Sequence, residues 1–90
     1  MDIVEGIYMK VVSKPIDVIA YCNKHGDIEP IRLRVDDKVI KVERILAREI
    51  EKLCSNDMEK FTCMSTINNV EKIFEIKYEL KTHKWILFKI

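Results

Sequence analysis

The amino-acid sequence predicts a mainly β fold, an antiparallel meander of about six strands that forms a curled sheet or a small barrel. Three observations predict it. Apolar and polar residues alternate in several short runs, turn-forming residues separate these runs, and only 2 glycines and 2 prolines interrupt a chain that is 48% hydrophobic and 34% charged. Alternation with a period of two is typical of strands, and strands joined by short turns form sheets that curl to bury one side.

A chain of 90 residues buries only a thin core, so we expect one domain over residues 1–90. Within it, residues 1–15 are expected to add a strand or to form a loosely ordered arm. The first predicted strand covers residues 16–22, where the alternating side chains Ile16, Val18 and Ala20 share one face.

The sequence also predicts a turn after this strand and a return strand that pairs with it. Gly26 supplies the freedom that a tight turn over residues 23–27 needs. The return strand spans 28–35, and Pro30 marks an edge or a bulge because proline cannot donate to a ladder. We expect Ile31, Leu33 and Val35 on its inner face, with Arg32 and Arg34 turned to solvent.

Residues 36–54 allow two interpretations. In the first, Asp36 and Asp37 form a tight turn, a strand follows over residues 38–46, and a helical turn or short helix lies near residues 47–54. In the second, one aspartate caps a single long helix with one apolar stripe, formed by Val39, Val42, Leu46, Ile50 and Leu53. The β-branched residues at 39–42 favour the strand.

The remaining chain predicts a second hairpin and a last strand. Strands are expected at 60–67, 70–80 and 85–90, with Asn68 and Asn69 as a two-residue turn. On the second of these strands, apolar side chains (Phe74, Ile76, Tyr78, Leu80) alternate with charged ones (Glu75, Lys77, Glu79). The last strand is apolar on both faces, so we expect it to pair with its predecessor at the centre of the core, with Trp85 buried.

Three segments, PIRLRV (30–35), KVIKVERILARE (38–49) and VEKIFEIKYELKTHKWILFKI (70–90), resemble a family of small uncharacterised strand-rich proteins of clostridia and related Firmicutes. They are more loosely similar to actinobacterial β domains of unknown function that neighbour translesion polymerases. The resemblance implies a strand-rich fold, supports a strand at 38–46, and hints at a DNA-related context. The looser relatives carry more arginine and tryptophan in this region, and no functional residue carries over.

Charge and cysteine content restrict the functional classes. With 16 basic and 15 acidic residues the net charge is +1, so binding to nucleic acid would have to be local rather than spread over the whole surface. The N-terminal residues lack a signal-peptide pattern, and no apolar run approaches the roughly 20 residues of a membrane span. Cys22, Cys54 and Cys63 lack metal-binding spacing. We expect a cytoplasmic protein with three reduced thiols and no membrane partner.

No catalytic motif, phosphate-binding loop or metal-ligand pattern occurs in the sequence, so we expect a non-enzymatic domain without cofactor, metal or catalytic residues. Two sets of residues are candidates for binding. One set is a basic stripe that could bind nucleic acid, with Tyr21 as a stacking ring: Arg32, Arg34, Lys41, Arg44 and Arg48. The alternative interpretation of the same residues is a solvated strand face. The other is an apolar face for self-association: Ile86, Phe88 and Ile90.

The expected function is therefore binding, through protein interaction or self-association as a homodimer. A nucleic-acid-binding accessory domain is the alternative, and a small enzyme is a distant third. Cys22 and Cys63 are expected to be small core residues, whereas His25 and His83 are expected to lie in exposed turns.

Overall fold

The structure, a computed structural model of the chain, describes residues 2–4 and 7–90. Over these residues every regular element is a strand, which confirms the mainly β prediction. The strands are β1 (Asp2–Val4), β2 (Ile7–Met9), β3 (Val11–Cys22), β4 (Ile28–Val35), β5 (Lys38–Lys41), β6 (Arg44–Leu53), β7 (Asn56–Ile67), β8 (Val70–Glu79) and β9 (Trp85–Lys89).

Seven of these strands form one antiparallel sheet in the order β5-β4-β3-β9-β8-β7-β6, and β1 and β2 form a separate hairpin. Strand β9 lies in the middle of the sheet, between β3 and β8. The prediction that the last two strands pair at the centre is therefore confirmed. Each neighbouring pair except β3 and β9 is also consecutive in the chain, as expected for a meander.

The predicted helix near residues 47–54 is wrong, and so is the alternative of one long helix. This segment lies in β6, which pairs with β7 from Arg44↔Met64 to Leu53↔Asn56. Its alanine, glutamate and lysine residues favour helix in isolation, but the cross-strand ladder overrides that weak preference. Cys54 and Ser55, both with left-handed backbone, form the turn that the sequence did not reveal.

The predicted strand at 38–46 is two strands with a bend between them. Val42 N donates to Ile31 O at 2.9 Å, and Glu43 N donates to Met64 O at 3.0 Å. The chain thus leaves the ladder with β4 at Val42 and enters the ladder with β7 at Glu43. Because β5 and β6 are the two edges of the sheet, this two-residue link brings the edges together and curls the sheet into a half-barrel.

The curled sheet buries a core on its inner face. Side chains from β4, β7, β8 and β9 form it: Leu33, Phe61, Cys63, Phe74, Ile76, Trp85 and Leu87. The Trp85 ring lies 4.7 Å from the Tyr78 ring and 5.6 Å from the Phe61 ring, measured between centroids. Aromatic pairs at such distances add to the stabilisation that burial supplies.

One side chain of β4 differs from the predicted pattern. Leu33 is buried and Val35 is half-buried, as expected, but Ile31 is 42% exposed. The register with β3 shifts here, from Ile19↔Arg32 to Ala20↔Pro30, so Ile31 is the extra residue of a β-bulge. The bulge beside Pro30 confirms one of the two predicted meanings of that proline and turns Ile31 outward.

We expect Trp85→Ala to lower the free energy of unfolding by about 3–5 kcal/mol, because the truncation leaves a cavity between Phe61 and Tyr78. That loss is a large share of the stability of a domain this small. Urea denaturation followed by circular dichroism measures it. Val70→Ala, at a half-exposed strand end, serves as the control with little change. An unchanged urea midpoint for Trp85→Ala would contradict the central position of β9.

Candidate binding face

The outer surface of β3, β4 and β5 carries cations and exposed apolar side chains together. Cross-strand register places Ile19 opposite Arg32, and Arg32 opposite Lys41. In the next row, Asp17 is opposite Arg34, and Arg34 is opposite Val39. We call this surface the cationic face and define it by its outward residues: Asp17, Ile19, Tyr21, Arg32, Arg34, Val39 and Lys41.

Large apolar groups are exposed on this face. Ile19 is 63% exposed and Val39 is 61% exposed, and Tyr21 is also exposed. A depression of about 390 Å³ is lined by Ile19 and Val39 together with Arg32 and Arg34. Single exposed aliphatic residues are ordinary, but several on one sheet face leave an apolar area that a partner can cover.

The cations of the face differ in their partners. Arg34 donates from Nη2 to Asp17 Oδ2 at 2.6 Å, so its charge is neutralised across the strands. Arg32 and Lys41, directly opposite one another, make no ion pair with any residue that the structure describes. Two like charges at this spacing repel, which a bound anionic group would relieve.

Two further arginines of the predicted basic stripe lie elsewhere. Arg44 projects outward from β6 and lines a depression at the seam with β4, beside Ile31 and Glu29. Arg48 is opposite Phe61 on the inner side of the sheet. The structure therefore brings Arg32, Arg34, Lys41 and Tyr21 onto one face and places Arg44 across the seam. Arg48 leaves the stripe, although its side chain lines a small depression with Tyr21 and Glu29.

Arg48 helps to hold the half-barrel together. Its guanidinium lies 5.3 Å above the Phe61 ring centroid, donates to Ile28 O at 3.3 Å and approaches Glu29 at 3.8 Å. Burial raises the pKa of the nearby Glu59 carboxyl, while the Arg48 charge opposes that rise. These contacts join β6 and β7 to β4, so we assign Arg48 a structural role.

The residues predicted for self-association lie on the central strand or directly after it. Ile86, Phe88 and Ile90 are half-buried, and β9 is paired on both sides, so it offers no free edge. The Nζ atom of Lys77 lies 3.7 Å from the Phe88 ring centroid. These residues therefore present a partly covered face and no strand edge, and self-association through them stays a prediction.

A cluster of charged side chains on the outer side of β6, β7 and β8, of which Glu75 and Lys77 are buried, was not predicted. Lys60 Nζ lies 2.6 Å from Glu49, and Lys77 Nζ lies 2.8 Å from Glu51. The hydrogen bond to Glu49 raises the pKa of Lys60, and the same contact lowers the pKa of Glu49. Glu75 is only 8% exposed. The alternation of Glu75 and Lys77 was predicted correctly, but their burial depends on neighbouring strands.

The cysteines and histidines do not assemble into a metal site. Across the described chain, no group of three or more His, Cys, Asp or Glu side chains is placed to hold a metal ion. Cys22 and Cys54 are exposed, so the expectation that Cys22 is a core residue is wrong, whereas Cys63 is buried. Cys22 is uncovered because it lies at the end of β3, beyond the part of that strand that pairs with β9. His25 and His83 are exposed, as expected.

Thiol reactivity should follow these environments. Burial raises the pKa of Cys63 to about 12, so its thiol stays protonated at pH 8 and is also out of reach. We expect two thiols per chain, Cys22 and Cys54, to react with a disulfide reagent at pH 8, and the third to react only after unfolding. Reaction of three thiols in the folded protein would contradict the buried position of Cys63, and a Cys63→Ser variant identifies the slow group.

Comparisons with known proteins give no match: no family model matches the chain, and neither a curated protein nor a solved structure is similar to it. The resemblance drawn from residues 30–35, 38–49 and 70–90 therefore stays a prediction. Among residues 2–4 and 7–90 there is no helix long and apolar enough to cross a membrane.

Proposed function

We propose that this chain is a non-enzymatic binding domain that holds an acidic, partly apolar protein partner on its cationic face. One observation carries the proposal. Arg32 and Lys41 sit side by side without an ion pair among the described residues, flanked by the exposed Ile19 and Val39. Interfaces commonly combine an apolar centre with charges that steer the partner.

Charge also favours a different protein over a second copy on this face. Self-association through one patch pairs identical surfaces, so the cations of each copy would meet those of the other. The carboxylates on this side of the sheet already have basic partners: Asp17 accepts from Arg34, and Glu29, opposite Tyr21, lies 3.8 Å from Arg48. An acidic partner would neutralise Arg32 and Lys41, whereas a homodimer through the same face would bring Arg32 and Lys41 of both copies together.

Photo-crosslinking in cells tests this proposal. A benzophenone amino acid at Ile19 or at Val39 should give one discrete protein adduct, and the same group at Val70, another exposed aliphatic position, should not. Reversing the charges with Arg32→Glu and Lys41→Glu should lower the adduct yield by at least about tenfold, because the attraction becomes repulsion. Lys72→Glu and Lys81→Glu provide the matched control with the same change in net charge.

The mass of the adduct decides between the partners. An adduct with a protein other than this chain, lost on charge reversal, supports the proposal. An adduct of twice the chain mass indicates the homodimer expected from the sequence. Adducts that are equal at Ile19, Val39 and Val70 would refute a specific protein-binding face.

Single-stranded nucleic acid is the second candidate, favoured by the position of Tyr21 on the same face as Arg32 and Lys41. With Arg34 and Arg48 engaged internally and Arg44 across the seam, two cations of the predicted stripe remain on this face: Arg32 and Lys41. Each phosphate contact contributes a slope of about −0.7 in log affinity against log salt, so we expect a total slope of about −1.4.

Fluorescence anisotropy with labelled single-stranded DNA measures this slope. Arg32→Glu with Lys41→Glu should abolish binding, and Tyr21→Ala should weaken it by about 1–3 kcal/mol if the ring stacks on a base. No binding at about 50 mM salt, where phosphate contacts are strongest, would eliminate nucleic acid as the ligand.

A further inference from the structure

Beside the cationic face, the free edge of β5 borders an open groove. We call it the β5 groove, and it has a volume of about 410 Å³. Lys38–Lys41 line one side of the groove, and Thr66, Ile67 and Asn68 line the other, with Glu43 at the bend between them. The groove exists because β5 pairs with β4 on one side only, while β7 extends past the start of β6.

Hydrogen bonds around the bend determine which backbone groups face this groove. Val42 N donates toward β4, whereas Lys41 O accepts from Ser65 Oγ on the opposite side. Backbone groups of alternate residues in a strand point the same way. The N–H and C=O of Val39, and the N–H of Lys41, therefore point into the β5 groove, where no strand of the described chain pairs with them.

The opposite wall has a similar free edge, part of which is already covered. Thr66 N donates to the Glu43 carboxylate, and Thr66 Oγ1 donates to the same group at 3.3 Å. A side chain thus satisfies an N–H that would otherwise be open to a pairing strand, a common protection of sheet edges. The edge of β5 lacks such a cover at Val39.

We propose that the β5 groove binds an extended acidic segment of the partner, which pairs with β5 as an additional strand. This proposal rests on the proposed function and specifies how the partner docks. Strand addition supplies main-chain hydrogen bonds from Val39 and Lys41, while alternate side chains of the segment reach the cationic face beside it. Lys41 projects toward the cationic face and makes no ion pair with a described residue, so acidic side chains on that face of the segment complement it.

Charge again disfavours a second copy in the groove. In the antiparallel register that places the two Ile40 residues opposite one another, Val39 of one copy would lie opposite Lys41 of the other, and the two Lys41 side chains would be diagonal neighbours on one face. Like charges that are so close on one face of a sheet repel. An acidic segment avoids this repulsion and gains an ion pair with Lys41, so the groove favours it over the identical strand.

The test begins with selection of displayed random peptides, about twelve residues long, on the full chain. We expect selected peptides to alternate apolar residues with acidic ones. Val39→Pro should then weaken their affinity at least tenfold, because it removes the N–H that faces the groove while leaving the ladder with β4 intact. Val39→Thr keeps that N–H and a β-branched side chain, so its affinity should stay within twofold.

A measurement on the unmodified protein covers the case in which Val39→Pro does not fold. Bound peptide should slow amide hydrogen exchange at Val39 and Lys41 at least tenfold, with no change at the already paired Val42. Amide hydrogen exchange monitored by NMR gives these rates residue by residue.

The outcomes separate the two proposals. Affinity that survives Val39→Pro but is lost with Arg32→Glu overturns strand addition and leaves the binding face in place. Failure to select any peptide, or unchanged exchange at Val39 and Lys41, also overturns strand addition, while the crosslinking at Ile19 still decides the binding face. A dimer that Val39→Pro converts to a monomer assigns the groove to a second copy and overturns the acidic segment.

Discussion

The two-residue link Val42–Glu43 ties together the strands that form the two edges of the sheet, and the rest of the architecture depends on it. An antiparallel sheet of seven strands twists but need not close. Here β5 and β6 lie at opposite ends of the strand order yet follow each other in the chain, so the sheet has to curl until they meet. The inner face of that curl becomes the core, with Phe61, Phe74 and Ile76 fully buried.

The same link explains why some backbone groups stay open. Each half of the bent segment pairs with a different neighbour, β4 before Val42 and β7 after Glu43. On one side of the bend, β5 keeps a free edge. On the other side of the bend, the start of β4 faces β6. There Pro30 has no N–H that could donate to a pairing strand, and Arg48 donates to Ile28 O. One edge is therefore closed by side chains and proline, and the other remains available for pairing.

Charged side chains divide into two groups with different roles. On β6, β7 and β8 they are mutually paired, since Lys60 contacts the exposed Glu49 and the buried Lys77 contacts Glu51. Removal of one partner is costly for the more buried pair, Lys77 with Glu51. On β4 and β5, Arg32 and Lys41 remain exposed and unpaired within the described chain. The net charge of +1 conceals this asymmetry because acids and bases occur in nearly equal numbers along the sequence.

Local pattern was sufficient to predict much of the fold. The strand at residues 28–35 was predicted with its observed bounds, and Phe74 and Ile76 were correctly assigned to the inner face. Solvent exposure of Arg32 and Arg34 followed from the same alternation. These properties depend on side-chain period and turn residues, which are written in the sequence itself.

Properties that depend on distant neighbours could not be predicted in this way. Residues 47–54 have helical preference and become strand only because β7 lies beside them. Alternation continued through Pro30 would place Ile31 inside, whereas the bulge reverses it. Arg48 belonged to a basic stripe in the linear pattern, yet a second register shift, between Ile45 and Ala47, alters which side of β6 each residue takes. A single inserted residue exchanges the two faces of a strand.

The central position of β9 also has a consequence for folding. Of its two partners, β8 directly precedes it in the chain, whereas β3 lies far earlier, and β9 is the last of the three to be synthesised. Hairpins β3–β4 and β7–β8 can form earlier from local contacts, leaving β3 and β8 as exposed edges. Non-local pairing of this kind slows folding, and open edges favour aggregation in the interval. Changes that delay insertion of β9 should therefore reduce the yield of folded protein, even where the finished half-barrel is stable.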